Sequence, residues 1–289
     1  MKFDFFTLGG RFLWEDIYNY RNWIIQRNIN KQQYRLLDPF HVRRDHGSFE
    51  RCKETLLKYI EACELEPLYD DTILILHGFG RTRNSVGYLA DSLRELPANI
   101  VCANYASLRV GLNFHALMMD QFIKNLDTRG HLFIINVGAA CLLTRKMLSS
   151  SDNYRAYKIA RILDINPLNS GSDFAELLNQ HKIFQKLFGP MLHDIETKKA
   201  VSLPKLPEEI DHGIIFCHAL SRKLLQKATA HLESFPFSTP PSEKSYAKKI
   251  KIIQETPLFP LQSRELADNC KNFIIEGDFL PDDEDEEKN

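Results

Sequence analysis

Four apolar runs punctuate the middle of the chain, at residues 73–76, 100–104, 132–137 and 159–165. The first shows no polar alternation and reads as a strand covered on both faces, and the other three read as further strands. Between them Val86, Leu89 and Leu93, then Phe114, Met118 and Phe122, fall at helical spacing, and a further helix is expected from about 139 to 148. Residues 213–218 and 272–276 read as later strands. Strands alternating with helices of this length predict an α/β fold around a mostly parallel sheet, with helices in layers on its faces.

The flanks read differently. Leu13, Ile17, Tyr20 and Ile24 recur at i, i+4, i+7 and i+11, and Phe12, Trp14, Tyr18, Trp23 and Ile25 broaden that face. This spacing predicts an amphipathic helix over residues 12–25, within an N-terminal helical extension spanning 1–66. Its bulky face needs the core, a protein partner or a membrane surface, which makes residues 12–25 a candidate peripheral membrane contact. Ser48 is placed to cap a helix carrying Phe49, Cys52, Leu56, Ile60 and Cys63. Ser172 is placed to cap another, followed by a helix over 183–192. Residues 224–232 suggest a short helix, and prolines at 236, 240 and 241 an extended loop over 235–242. Lys248, Lys249 and Lys251 read as a solvated face. The main domain is expected over 67–280, and 281–289 as an acidic disordered tail.

Composition narrows the function. The formal net charge of −1 argues against nucleic acid as a partner. Six cysteines stand far apart, without a CxxC pair or zinc spacing, and read as buried free thiols. No apolar run has the length of a secretion signal or a spanning helix, so the expected location is cytoplasmic. Nothing in the pattern calls for a cofactor or a metal.

Ligands on parallel sheets bind beyond the carboxyl ends of the strands. That rim would hold His77-Gly78-Phe79-Gly80-Arg81-Thr82, Asn104-Tyr105-Ala106-Ser107, Asn136-Val137-Gly138 and Asn166-Pro167-Leu168-Asn169-Ser170-Gly171-Ser172. From about residue 72 to 195, these segments in this order resemble the lipase and esterase branch of the α/β-hydrolase superfamily, nearest to bacterial proteins related to inositol deacylases. The resemblance implies a three-layer α/β-hydrolase-like fold. It makes His77, Gly78 and Phe79 the oxyanion turn, and Tyr105, Ser107, Asn136, Val137 and Asn169 binding residues of the cleft. A lipid or acyl small molecule, or a protein partner, is the ligand it suggests.

The family's nucleophile sits in Gly-x-Ser-x-Gly, a strained turn from strand to helix. Aligned on Gly138 as the second glycine, the serine falls on Asn136 and the first glycine on Ile134. A carboxamide cannot form an acyl intermediate. The family's acid segment falls near Glu255 and lacks its Asp-Gly, and no histidine follows His231. The sequence thus implies a catalytically inactive homologue with a degenerate triad. The alternative is an active esterase whose triad is rebuilt around Ser107 or Ser172 with His218. Asp164 reads as a rim residue and Cys141 as core packing.

Overall fold

The computed structural model describes residues 11–151, 153–218, 246–254 and 260–281. Its centre is a six-stranded parallel sheet in the order β6-β5-β7-β8-β9-β10. The strands are β5 (Thr72–Leu76), β6 (Asn99–Ala103), β7 (Leu132–Val137), β8 (Ile159–Ile165), β9 (Asp211–His218) and β10 (Lys249–Gln254). Successive side chains leave opposite faces of a strand, so each run feeds two cores. Leu74, Leu76, Ile134 and Ile162 pack under α3 (Leu112–Lys124) and α4 (Ala140–Ser150). Ile73, Ile75, Ile135 and Leu163 pack under α2 (Gly87–Ser92) and α9 (Arg264–Glu276). Between β8 and β9 the chain makes four short helices: α5 (Asp173–Asn179), α6 (Lys182–Phe188), α7 (Met191–Asp194) and α8 (Thr197–Ser202). The expected helix over 183–192 is therefore two, divided at Gly189-Pro190, where proline removes a helical donor.

The N-terminal segment is not the expected helix. Residues 12–25 belong largely to β1 (Trp14–Tyr20) and β2 (Trp23–Asn28), followed by β3 (Tyr34–Leu37) and β4 (Arg43–Gly47) in one antiparallel sheet. Arg21 and Asn22 both have positive φ, 49° and 63°, and Tyr20 pairs directly with Trp23. That is a two-residue hairpin turn of the primed type. Aromatic and β-branched residues crowd this segment and favour a pleated surface, whatever helical spacing some of them also satisfy. The helix α1 (Phe49–Ala62) then covers one face, with Ser48 Oγ accepting from the Arg51 amide at 3.2 Å. Trp23, Ile25, Leu36, Cys52 and Leu56 form the small core between them, and Trp23 lies on Tyr59 with ring centroids 4.5 Å apart.

Two later readings also change. Residues 272–276 end α9 rather than forming a strand. Leu266, Cys270, Phe273 and Ile274 keep helical spacing, Ser263 Oγ caps the start, and Gly277 ends it. A short apolar window cannot by itself separate strand from helix. The lysine cluster is not wholly solvated either: Lys248 is exposed, but Lys251 lies within β10, 7% exposed, its Nζ donating to the Leu280 carbonyl at 2.7 Å. Of the cysteines, Cys63 is exposed and Cys102 half-buried, whereas the other four are buried. The expected helix at 224–232, the loop at 235–242, Glu255 and the tail from 282 lie outside the described residues.

Candidate functional site

The rim is built from the turns after β5, β6, β7 and β8. Behind the first turn, His77 is fully buried and stacks on Tyr105, ring centroids 4.3 Å apart and planes 5° from parallel. Its Nδ1 bonds to the Gly78 carbonyl at 2.9 Å, and its Nε2 accepts from the Tyr105 amide at 3.3 Å. Burial pushes its pKa down to about 4, so the ring is neutral. The Tyr105 hydroxyl donates to the His77 carbonyl, and Ser107 Oγ accepts from the Gly80 amide at 3.0 Å. Tyr105 and Ser107 are buried and brace the turn from below. Phe79 is only half-buried and packs towards Phe188 of α6, centroids 6.2 Å apart. Gly78 fits closely against β7: a Cβ there would lie 3.3 Å from the Val137 carbonyl oxygen.

The strand-to-helix turn after β7 corrects the sequence alignment. Asn136 is not its apex. It is an ordinary strand residue, paired with Leu76 on one side and Asp164 on the other, and its side chain is buried. The apex is Gly138, with φ of 56°, its amide donating to the Ile165 carbonyl at 2.9 Å. Ala139 and α4 follow at once. The residue in the left-handed conformation at this turn therefore has no side chain; laid on the pattern Gly-x-Ser-x-Gly it would take the serine's place, with Asn136 and Ala140 in those of the glycines. A Cβ on Gly138 would meet nothing within 4 Å, so the space a nucleophile would occupy is open.

Beneath this turn, under α4, lies a polar network. Asp164 is 1% exposed, below the rim rather than on it, contrary to the sequence reading. Its Oδ1 accepts from Asn136 Nδ2 at 2.8 Å, and its Oδ2 from Asn169 Nδ2 at 3.4 Å. The same Oδ2 faces His212 Nε2 at 3.0 Å, and His212 Nδ1 meets the Tyr246 carbonyl at 3.0 Å. Thr144 Oγ1 of α4 donates to Asn136 Oδ1 at 2.7 Å. Burial works to lower the His212 pKa, but the Asp164 carboxylate more than offsets it by charge and hydrogen bond, and the imidazole titrates above its ordinary value. Arg145 closes the network: it donates to Asn169 and to the carbonyls of Ala200, Leu203 and Pro204, pinning the loop after β8 and the end of α8 to α4.

The remaining sequence candidates scatter. Ser172 caps α5, its Oγ accepting from the Ala175 amide at 3.3 Å, and Cys141 is core. Asn169 is fully buried, whereas Val137 is half-exposed beside Gly138. His218 closes β9, and its side chain lies outside the described part. Sequence reasoning missed His212, because nothing in one sequence links the first residues of β9 to Asp164 on β8. Among the described residues no cluster of three metal-ligating side chains occurs, and no helix is long and apolar enough to cross a membrane. A cavity of about 270 Å³ opens by Leu132, at the amino end of β7, away from the rim.

No family model and no curated protein matches this chain. Solved structures do resemble it. The propeptide form of a Bacillus licheniformis lipase aligns with TM-score 0.50 at 9% identity, over 68% of this chain and 48% of that one, so the match spans about half of its length. The mature form of the same lipase gives 0.49 at 10%, over 66% and 86%. A lipase-esterase related protein from Clostridium acetobutylicum gives 0.47 at 14%, over 71% and 95%. The parallel sheet with helices on both faces is the α/β-hydrolase fold.

Proposed function

We propose that this protein is an α/β-hydrolase-fold homologue without acyl-transfer chemistry, acting as a binding protein or scaffold. Its ligand is an acyl or lipid small molecule, or a protein partner, held on the rim around Phe79, Val137 and Gly138. The observation that carries this reading is Gly138 at the apex of the elbow turn. Covalent catalysis needs a nucleophilic side-chain atom at that point and a base within hydrogen-bond reach of it. Glycine supplies no atom. Among the described residues, two buried histidines of the fold are engaged elsewhere: His77 is stacked and neutral, and His212 is buried against Asp164. No histidine occurs in the sequence after His231.

The test is a purified full-length sample treated with a fluorophosphonate probe and offered short-chain nitrophenyl esters. Neither labelling nor turnover is expected. Labelling of a serine, with turnover lost in Ser107→Ala or Ser172→Ala, would overturn the reading in favour of a rebuilt triad.

A further inference from the structure

The N-terminal sheet carries an unbalanced group of cations on the face away from α1. Register fixes it. Asp16 pairs with Gln26 and Gln26 with Arg35, making one cross-strand row; Ile24 pairs with Leu37 and Leu37 with Arg43, making the next. Directly paired residues project from the same face. Ile25 and Leu36, which alternate with these positions, are the residues that face α1. Arg83, just past the turn after β5, reaches into the row from the main domain and donates to Asp16. His41 stands in the turn joining β3 to β4.

The charges do not cancel. Asp16 is the one carboxylate in the row, and it is fully engaged: besides Arg83 it accepts from Gln26 Nε2 at 2.7 Å and from the Asn104 amide at 2.9 Å. Arg35 makes no ion pair with a described residue. Its Nε and Nη2 donate to the neutral Gln26 Oε1 at 2.9 and 2.7 Å, and its guanidinium lies 4.0 Å from the centroid of a Trp14 ring. Arg43 is exposed and likewise has no described ion-pair partner. Asp38 is occupied by Arg44 and by the amides of Phe40 and Val42. Arg35, Arg43 and Arg83 thus face one carboxylate.

We propose that Arg35, His41, Arg43 and Arg83 form an oxyanion site for a phosphate-type dianion, at the seam between the N-terminal sheet and the rim. Planar guanidinium groups match the geometry of phosphate oxygens and bind them by paired hydrogen bonds. Partial burial of Arg35 and Arg83 weakens solvent screening there, while Arg43 and His41 leave the approach open. The Arg35 pKa, lowered to about 10 by burial first and then by the charge of Arg83, marks the uncompensated positive potential that a bound anion would relieve. The site is separate from the elbow, so its failure would leave the reading of Gly138 untouched.

The experiment follows the melting temperature of the full chain during titration with inorganic phosphate, at ionic strength held constant with chloride. Saturable stabilisation is expected. Arg43→Glu, at an exposed position, leaves the protein folded with a ligand-free melting temperature at or above the parent's and weakens phosphate by about tenfold or more, the loss of one charge-assisted contact. Arg35→Gln gives the same loss from the buried side. Phosphatidylcholine vesicles with and without phosphatidic acid identify the source. Sedimentation only with the acidic vesicles, abolished by Arg43→Glu, assigns a lipid headgroup; a phosphate response without sedimentation assigns a soluble phosphate. A response no greater than chloride gives, or an Arg43→Glu protein that titrates like the parent, overturns the proposal.

Discussion

Asn136 and Asp164 stand side by side on β7 and β8, joined by a 2.8 Å hydrogen bond from Nδ2 to Oδ1. The amide oxygen of Asn136 is taken by Thr144, so one carboxamide satisfies a strand on one side and a helix on the other. Removing it leaves a buried carboxylate short of a donor and a buried hydroxyl without an acceptor. Each such orphan costs about 1–3 kcal/mol. Asn136→Ala should lower unfolding free energy by about 2–4 kcal/mol in urea titration. Asn136→Asp should be worse at neutral pH, with two carboxylates in contact, and should recover as acid protonates one of them. An Asn136→Ala protein within about 0.5 kcal/mol of the parent, the range of an ordinary surface change, would mean the network carries no stability.

Three histidines set a stability optimum in pH. Burial holds His77 and His115 neutral, each with a pKa of about 4, below the ~6.5 of an unfolded chain. Between those values the unfolded state binds more protons, so stability rises with pH and is lost as pH falls from 6.5 towards 4. His212 behaves oppositely. Its folded pKa is raised by Asp164, so its contribution is complete below ~6.5 and disappears as pH climbs through the raised value. Unfolding free energy should therefore peak near pH 6.5. In His212→Gln the alkaline decline should vanish while the acid limb stays; an unchanged alkaline limb would refute the assignment.

Gly138→Ser restores a hydroxyl where the elbow would carry one. The open space above Gly138 accommodates the side chain, so the cost is the backbone strain of a non-glycine residue at positive φ, about 1–2 kcal/mol. The variant should fold, melt somewhat lower, and remain unlabelled by fluorophosphonate, because among the described residues two buried histidines, His77 and His212, are engaged elsewhere and a serine without a base is a weak nucleophile. Rapid labelling would reveal a base outside the described residues.

The parallel sheet was legible because β5 is a continuous branched apolar run and β7 and β8 are mostly apolar segments alternating with helices, a pattern that fits strands covered on both faces. The elbow was legible as a strand meeting a helix, but not to the residue. Aligning on a glycine as a flanking position shifted the apex by two, from Gly138 to Asn136, and only the positive φ identifies it. The Asp164–His212 pair was illegible because it joins strands 48 positions apart in sequence. The lysines of β10 misled because Lys251 buries its stem and carries its ammonium to the Leu280 carbonyl.

The Arg21–Asn22 turn tests the largest of the corrections. Both central residues of a primed hairpin turn need positive φ, which glycine and asparagine adopt at less cost than the arginine present at position 21. Arg21→Asn with Asn22→Gly should therefore stabilise the protein by about 1 kcal/mol. The same pair in a helix would do the reverse, since asparagine and glycine are poorer helix formers than the residues they replace, by several tenths of a kcal/mol each. The sign alone thus distinguishes hairpin from helix. A third substitution sharpens the comparison. Asn22→Pro fixes φ near −65°, incompatible with the hairpin, and should destabilise the sheet that holds Asp16 against Arg83. Equilibrium unfolding monitored by Trp14 and Trp23 fluorescence reads all three variants. Destabilisation by the double substitution would return residues 12–25 to the helical reading.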